Sequence, residues 1–226
     1  MNRTRRKRTE RRMAQRLRGA LQRFYRRVAA EMNAAPPVKS WEDALRGLAE
    51  ELRALLEPLL MAAAKDGVRE SQRGLASSGV DWALVNDRAA AWARQYAGEL
   101  AGNLSQTAHE RIRQAVQRFV DTPGATLQDL IAETTGRQVS EYRASVIAIT
   151  ETTRAYAEGN MAAWREAGVT KQQWQTNHDE LVCEICGPLN GTVMEIGAAF
   201  GSDRGRAFIA PPAHVNCRCW LSPVVE

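Results

Sequence analysis

The spacing of apolar residues along the first part of the chain predicts an amphipathic helix. Apolar side chains recur every three or four positions at Met13, Leu17, Leu21, Phe24, Tyr25 and Val28. This period places them on one face of a helix whose remaining surface is rich in arginine. Paired prolines at 36–37 interrupt the pattern, because proline cannot continue a helix, and they predict a linker over 33–40.

Four further helical segments are predicted after this linker. Apolar spacing from Trp41 to Leu59 indicates a helix that Pro58 kinks or ends near its last turn. After a loop at 74–81, Asp81 is suited to cap a long helix that extends to Phe119. The sequence TPGA at 122–125 ends that helix, and shorter and longer helices are expected over 126–136 and 140–168.

The pattern changes after residue 168. KQQWQT (171–176), GTVMEI (191–196) and RCWLSP (218–223) are short, strand-like runs between glycine-, proline- and asparagine-rich turns. The predicted fold class is therefore mainly α with a small C-terminal α+β, cysteine-rich domain. We expect a basic helical arm at 1–35, a helical region at 36–138 and a C-terminal domain at 139–226. Trp164, Trp174 and Trp220 are expected to pack the core of the small domain.

Charge is distributed unevenly along this chain of 226 residues, whose net charge is +5. Residues 1–27 hold twelve lysines and arginines and one acid, whereas the remainder carries 19 basic and 25 acidic side chains. Such a basic block is either a solvated tail or a surface for DNA or for an acidic protein partner. The candidate DNA- or partner-binding residues are Arg3, Arg5, Arg6, Lys7, Arg8, Arg11, Arg12, Arg16 and Arg18.

Apolar runs are too short for a membrane helix, and the basic N-terminus is not followed by the apolar segment of a secretory signal. We therefore expect an intracellular chain with reduced thiols and no membrane partner. Phosphate-binding loops, G-x-S-x-G and H-E-x-x-H are missing from the sequence, and no enzymatic activity is predicted. His178 with Asp179 and Glu180 resembles a hydrolytic set, but a turn beside the cysteines explains these residues better.

The four cysteines form two clusters, C-x2-C at 183–186 and H-x2-C-x-C at 214–219. In a reduced compartment this clustering favours a structural zinc site with four protein ligands. A loop at 187–213 would then close over the metal and include a hairpin, while Arg204, Arg206 and Arg218 offset the thiolate charge. The spacing leaves the fourth ligand open, and two disulfides or four buried thiols are the alternatives. The candidate metal ligands are Cys183, Cys186, His214, Cys217 and Cys219.

The cysteine-containing segment resembles the Mu F-type phage head morphogenesis family. The resemblance rests on WQTNHDELVCEICGPLNG (174–191), Phe200, PPAHVNCRC (211–219) and the preceding helix ITETTRAYAEGNMAAWREAG (149–168), and it covers about 140–222. It implies a non-catalytic minor capsid protein of a tailed bacteriophage that acts in head (procapsid) assembly at or near the portal vertex. It also implies a role in DNA packaging or ejection.

The partners that this resemblance implies are the portal protein and the major capsid or scaffold protein, with several copies of the chain in the assembly. Double-stranded DNA is a further partner for the basic arm. The expected location is the virion, in the head interior or at the portal vertex, after assembly in the host cytoplasm. The alternative is a nucleic-acid-binding zinc module, which the scarcity of cations near the cysteines disfavours, because only Arg204, Arg206 and Arg218 are basic between 172 and 226.

Overall fold

The described part of the chain is mainly helical up to residue 166 and forms short strands after it. The computed structural model describes residues 3–34, 47–75, 79–136, 140–177, 181–203 and 206–225. Its helices are α1 (Arg3–Ala34), α2 (Leu48–Gly74), α3 (Trp82–Asp121), α4 (Leu127–Gly136) and α5 (Glu141–Glu166). These helices, followed by a small strand-containing segment, confirm the predicted fold class. The predicted linker from residue 35 onwards and the helix start at Trp41 lie outside the described residues.

The helix boundaries follow from side chains that cap free backbone groups. Asp81 Oδ1 accepts hydrogen bonds from the backbone N–H groups of Ala83 and Leu84, both at 3.0 Å, and so begins α3 as predicted. At α4, Thr126 and Asp129 exchange hydrogen bonds: the Asp129 N–H donates to Thr126 Oγ1 at 3.2 Å, and the Thr126 N–H donates to Asp129 Oδ2 at 2.8 Å. This reciprocal pair is a capping box with aspartate in the acidic position.

Pro58 was predicted to kink or to end the second helix, and the predicted end is wrong. Helix α2 continues through Pro58 to Gly74. A proline inside a helix removes one backbone hydrogen bond and crowds the preceding turn. Apolar side chains beyond it are buried, including Leu60, Ala64 and Val68, and this burial outweighs the local cost.

The chain packs as two compact units. Unit 2 consists of Arg12–Pro58 and Gln95–Ser145. The predicted apolar face of α1 is buried there, from Met13 to Val28, and Leu52 and Ile112 are equally inaccessible to solvent. Arg23 and Arg27 both pair with the carboxylate of Glu51, at 3.2 and 2.7 Å.

Unit 1 consists of Met1–Arg11, Leu59–Arg94 and Val146–Glu226. Within it, α2 and α5 approach so closely that their backbones touch at two glycines. A Cβ atom on Gly159 would lie 2.0 Å from the Ala64 carbonyl oxygen, and one on Gly67 would lie 2.3 Å from the Tyr156 carbonyl oxygen. Only glycine fits at either contact. The three-domain division expected from the sequence stays a prediction.

Residues 169–225, which we call the cysteine module, form two small sheets. Strands β1 (Lys171–Gln175), β2 (Val193–Glu195) and β5 (Trp220–Val224) form an antiparallel sheet in the order β2-β1-β5. Strands β3 (Gly201–Asp203) and β4 (Arg206–Phe208) form a hairpin within the loop between the cysteine clusters. The strands expected at 171–176, 191–196 and 218–223 are confirmed with small shifts of their ends.

The interior of the cysteine module is built around tryptophan. Trp164 and Trp174 are buried as predicted, and the Trp174 ring packs edge-on against Phe200 at 5.1 Å. Trp220 is only half-buried, contrary to expectation. Alternation along β5 explains the difference, because Leu221 pairs with Trp174 and points inward, so that its neighbour Trp220 points outward.

Candidate metal centre

The first half of the site is a tight turn around the C-x2-C sequence. The backbone N–H of Cys186 lies 3.4 Å from the Cys183 sulfur, and the N–H of Gly187 donates to the Cys183 carbonyl at 2.9 Å. A short 3-10 helix, Gly187–Leu189, follows directly. Backbone N–H groups directed at a cysteine sulfur stabilise its thiolate, which is the form that binds metal.

The second half of the site is a similar turn around His214 and Cys217. The Cys217 N–H donates to the His214 carbonyl at 3.3 Å. Between them Asn216 adopts a left-handed conformation with φ of 63°, which asparagine tolerates better than most residues. The buried prolines Pro211 and Pro212, joined by a cis peptide bond, precede this turn. The H-x2-C turn therefore mirrors the C-x2-C turn.

The two turns bring their donor atoms to metal-ligand spacing. His214 Nε2 lies 3.1 Å from the Cys183 sulfur and 3.2 Å from the Cys186 sulfur, and the sulfurs of Cys186 and Cys217 are 3.8 Å apart. Tetrahedral zinc with bonds of about 2.3 Å to sulfur and about 2.0 Å to nitrogen separates two sulfurs by about 3.8 Å and a sulfur from a nitrogen by about 3.5 Å. These three separations are close to those around a tetrahedral ion with sulfur and nitrogen ligands, and the residues present are compatible with such an ion.

Cys219 adds a fifth donor to the cluster. Two overlapping groups have all their donor atoms within 4.8 Å of one another: Cys183, Cys186 and His214, and Cys186, Cys217 and Cys219. Cys186 belongs to both groups. All five predicted ligands are thus brought together, and the four cysteines carry free thiols, so these thiols and this histidine can form a metal site.

The three buried thiols lie so close together that the pKa of each depends on whether its neighbours are ionised. Hydrogen bonds from Cys186 and Cys219 lower the pKa of the Cys217 thiol to about 2. The same hydrogen bond with Cys217 raises the pKa of Cys186 far above its ordinary range. The hydrogen bond with Cys186 lowers the pKa of Cys219, but the bond to Cys217 and burial outweigh it and raise this pKa to about 12. One thiolate therefore suppresses ionisation of its neighbours, and a bound cation would remove that conflict.

Trp174, Thr150 and Thr153 border the site, and none of them was predicted to do so. Among the described residues, the buried indole N–H of Trp174 has no hydrogen-bond partner of standard geometry, and it lies beside the Cys219 sulfur, where it lowers the pKa of that thiol. Thr150 Oγ1 accepts the Asn216 N–H at 2.8 Å, and Thr153 Oγ1 lies 2.9 Å from the Cys217 carbonyl. The spacing of Thr150 and Thr153 on one helix face is their only sequence signal.

Other residues predicted to support the site are described only in part. His178, Asp179, Glu180 and Arg204 lie outside the described residues, as does the side chain of Arg206. Arg218 lies half-buried between Cys217 and Cys219 and lines the small cavity that opens onto the thiols. Its expected role in offsetting thiolate charge stays a prediction.

The cations predicted to bind DNA or a partner differ in their surroundings. Arg6 is buried, Arg5 Nη1 lies 3.3 Å from Asp66 Oδ1, and Arg18 Nη1 lies 3.1 Å from Glu141 Oε2. The Arg3 guanidinium stands 5.7 Å from the centre of the Trp220 ring. The remaining five are exposed, without an ion pair to any described residue: Lys7, Arg8, Arg11, Arg12 and Arg16. Their role in DNA or partner binding stays a prediction.

Comparison with known proteins identifies one family. The model of the family described as Phage Mu protein F like protein matches residues 106–222, which is more than half of the chain. The match includes both cysteine clusters and the helix that precedes them. No curated protein and no solved structure matches the chain. None of the described helices combines the length and the apolar character that crossing a membrane requires.

Proposed function

Since the chain belongs to the Phage Mu protein F like family of phage head morphogenesis proteins, we propose that it is a minor head protein of a tailed bacteriophage. It acts without catalysis in procapsid assembly at or near the portal vertex, in contact with the portal protein and with the capsid or scaffold protein. A zinc ion holds the cysteine module together. The family match supports the assembly role, and the pair of matching turns, whose donor atoms form two overlapping groups that share Cys186, supports the zinc site.

The zinc ligands in this proposal are Cys183, Cys186, His214 and Cys217. One turn supplies the first two and the mirrored turn supplies the last two. Cys183, Cys186 and His214 form one donor group, and Cys217 adjoins it through its sulfur, which lies 3.8 Å from the Cys186 sulfur. Cys219 is the fifth donor, beside the indole N–H of Trp174. Sulfur and imidazole donors select zinc over the harder magnesium and calcium ions.

A site with four protein ligands supports a structural role rather than a catalytic one. Catalytic zinc keeps one coordination position for water or substrate, whereas structural zinc is enclosed by four protein ligands. Here five donors compete for four positions, and Cys186, Cys217 and Cys219 are buried. The zinc-loaded protein is expected to be inert towards peptide, ester and nucleic-acid substrates, and zinc-dependent turnover of any of them would contradict the non-catalytic role.

Metal content and thiol reactivity of the purified chain test the zinc proposal. We expect about one zinc per chain, with the thiols unreactive until the protein is denatured or the metal chelated. Cys183→Ser should lose the zinc, whereas Ser222→Ala, a substitution on β5, should retain it. A chain that contains no metal and four freely reactive thiols would refute the zinc site.

The assembly role is tested by incorporation into procapsids. Particles formed from capsid and scaffold proteins with the portal protein are expected to take up the chain. Matched particles formed without the portal protein should take up much less. Equal incorporation into both kinds of particle would place the chain on the capsid or scaffold and contradict the portal location.

For the basic arm, we propose contact with the phosphate backbone of double-stranded DNA. The support is a set of five exposed cations on a short stretch of α1 that have no ion pair with any described residue. Release of about one counterion per neutralised phosphate gives a slope of about −4 to −5 in a plot of log binding constant against log salt concentration. Replacing the five with glutamine should abolish this binding, whereas Arg53→Gln with Arg94→Gln should preserve it. An unchanged salt slope would remove these residues from DNA binding.

A further inference from the structure

One arginine of the basic arm is directed into the protein rather than towards solvent. Arg6 has a relative exposure of only 6%, although it lies among residues predicted to form a solvated or partner-binding surface. Its Nη1 donates to the carbonyl oxygen of Cys219 at 3.3 Å, and its Nη2 donates to the hydroxyl of Thr153. Its Nε donates to Glu10 at 2.9 Å, which balances its charge. Residues 213 positions apart in sequence are thereby joined.

Two threonines of α5 continue this network along the second cysteine cluster. The Thr153 hydroxyl lies 2.9 Å from the Cys217 carbonyl, and the Thr150 hydroxyl accepts the Asn216 N–H at 2.8 Å. The backbone of residues 216–219 is consequently held at three points, two by α5 and one by Arg6. Each point is a backbone atom of a candidate ligand or of the residue directly before one.

Further contacts tie the same part of α1 to its surroundings within unit 1. The Arg3 guanidinium stands over the ring of Trp220, which directly follows Cys219. Arg5 pairs with Asp66 of α2. Arg6 differs from these two because its hydrogen bonds reach the segment that carries the metal donors.

We propose that Arg6 is a positioning residue of the metal centre, and that zinc binding and docking of the first turns of α1 on the cysteine module stabilise each other. This inference rests on the proposed zinc site. Groups that hydrogen-bond to the surroundings of metal ligands orient those ligands, and losing one typically costs about 10- to 100-fold in metal affinity. Because linkage is reciprocal, the factor by which docked α1 strengthens zinc binding is the factor by which zinc strengthens docking.

The test measures zinc affinity of the full chain by competition with a chelator. Arg6→Gln is expected to bind zinc about 10- to 100-fold more weakly than the unaltered chain, and Arg6→Lys should recover part of the loss. Arg8→Gln, which removes an exposed neighbouring cation, should bind zinc as the unaltered chain does. Equal zinc affinity of Arg6→Gln and Arg8→Gln would overturn the inference.

Two further readouts separate positioning from a general loss of stability. In the cobalt-substituted protein, Arg6→Gln should shift the visible absorption bands that report ligand geometry, and Arg8→Gln should leave them unchanged. Hydrogen exchange at amides 3–11 should accelerate when the unaltered chain loses its metal, and should be fast in Arg6→Gln with or without metal. If amides 3–11 of the unaltered chain exchange at the same rate with and without metal, the proposed coupling is overturned. If the unaltered chain binds no zinc at all, the proposed zinc site itself is refuted.

Discussion

Unit 2 and the cysteine module achieve stability by different means. In unit 2, long helices bury large apolar side chains such as Leu17, Phe24, Leu52 and Ile112, and each contributes roughly 1.5–3 kcal/mol through burial. The strands of the cysteine module contain only three to five residues. The core cluster that the module forms with α5 contains eight buried residues, of which three are cysteines. The module thus places candidate metal donors where a larger domain would place leucines.

This comparison shows which substitutions each region can tolerate. A leucine in unit 2 contributes through contact area, so its loss is one increment among many. A metal ligand contributes as one of four groups that bind the same ion. The loss of one ligand therefore weakens metal binding and with it the stability of the whole site. The cysteine module should therefore fail as a single step, and unit 2 should weaken gradually.

The largest effect is expected for Cys186→Ser. Cys186 is the one residue shared by both donor groups, and it is 2% exposed. The substitution should abolish zinc binding and leave the amides of 169–225 unprotected from hydrogen exchange, while the amides of unit 2 keep their protection. Chelation of the unaltered protein should reproduce this pattern.

The matched control is Cys219→Ser, which removes the fifth donor. Because the four proposed ligands remain, it should retain about one zinc per chain. The affinity for zinc should be lower than that of the unaltered chain. Loss of zinc in Cys219→Ser but not in Cys217→Ser would show that Cys219, and not Cys217, is the fourth ligand. Full protection of 169–225 in metal-free Cys186→Ser would show that packing alone stabilises the module.

The same contrast explains what the sequence could predict. The apolar face of α1 and the start of α3 at Asp81 were predictable, because a period of 3.6 residues and a capping carboxylate are local signals. Pro58 was misleading because its local cost is offset by the burial of Leu60, Ala64 and other residues later in α2. Local sequence signals predict a helix reliably where one apolar pattern runs along it. They fail where packing against residues distant in sequence determines whether the helix continues.

The candidate donor atoms could be predicted from the sequence, whereas the residues that hydrogen-bond to the surrounding backbone could not. C-x2-C and H-x2-C spacings indicate which side chains could reach one ion, since each fits a single turn. The hydrogen bonds of Arg6 to Cys219 and of Thr150 to Asn216 join residues far apart in sequence, and no local pattern marks them. The basic composition of 1–27 even suggested that Arg6 faces solvent, although burial and the Glu10 carboxylate accommodate its charge.

An intermediate effect is expected at the helix contact of unit 1. Gly159→Ala places a Cβ atom 2.0 Å from a backbone oxygen of α2, which cannot move aside as a side chain can. The helices must separate, and the free energy of unfolding of unit 1 should fall by roughly 1–3 kcal/mol or more. Denaturant unfolding followed by amide exchange in each unit measures the loss.

A glycine of α3 in unit 2 provides the matched control. Gly102 has no atom within 4 Å of an added Cβ, so Gly102→Ala meets no obstruction. Alanine favours the helix over glycine by about 0.5–1 kcal/mol, and the stability of unit 2 should rise by that amount. If Gly159→Ala and Gly102→Ala changed the free energy of unfolding in the same direction, the close contact between α2 and α5 would be contradicted.

The smallest effect is expected at the capping box of α4 in unit 2. Thr126→Ala removes two hydrogen bonds of the threonine hydroxyl and should lower the free energy of unfolding by about 1 kcal/mol, whereas Thr126→Ser should preserve it. The hydrogen bond from the Thr126 hydroxyl, aided by its backbone N–H, lowers the pKa of Asp129 in the folded protein. The stabilisation is therefore present above the unfolded pKa of about 4 and is lost as the pH falls through the lower folded value. Denaturant unfolding at neutral and acidic pH should show the difference between Thr126→Ala and the unaltered chain shrinking in acid, and a difference that grows there would contradict this account of the cap.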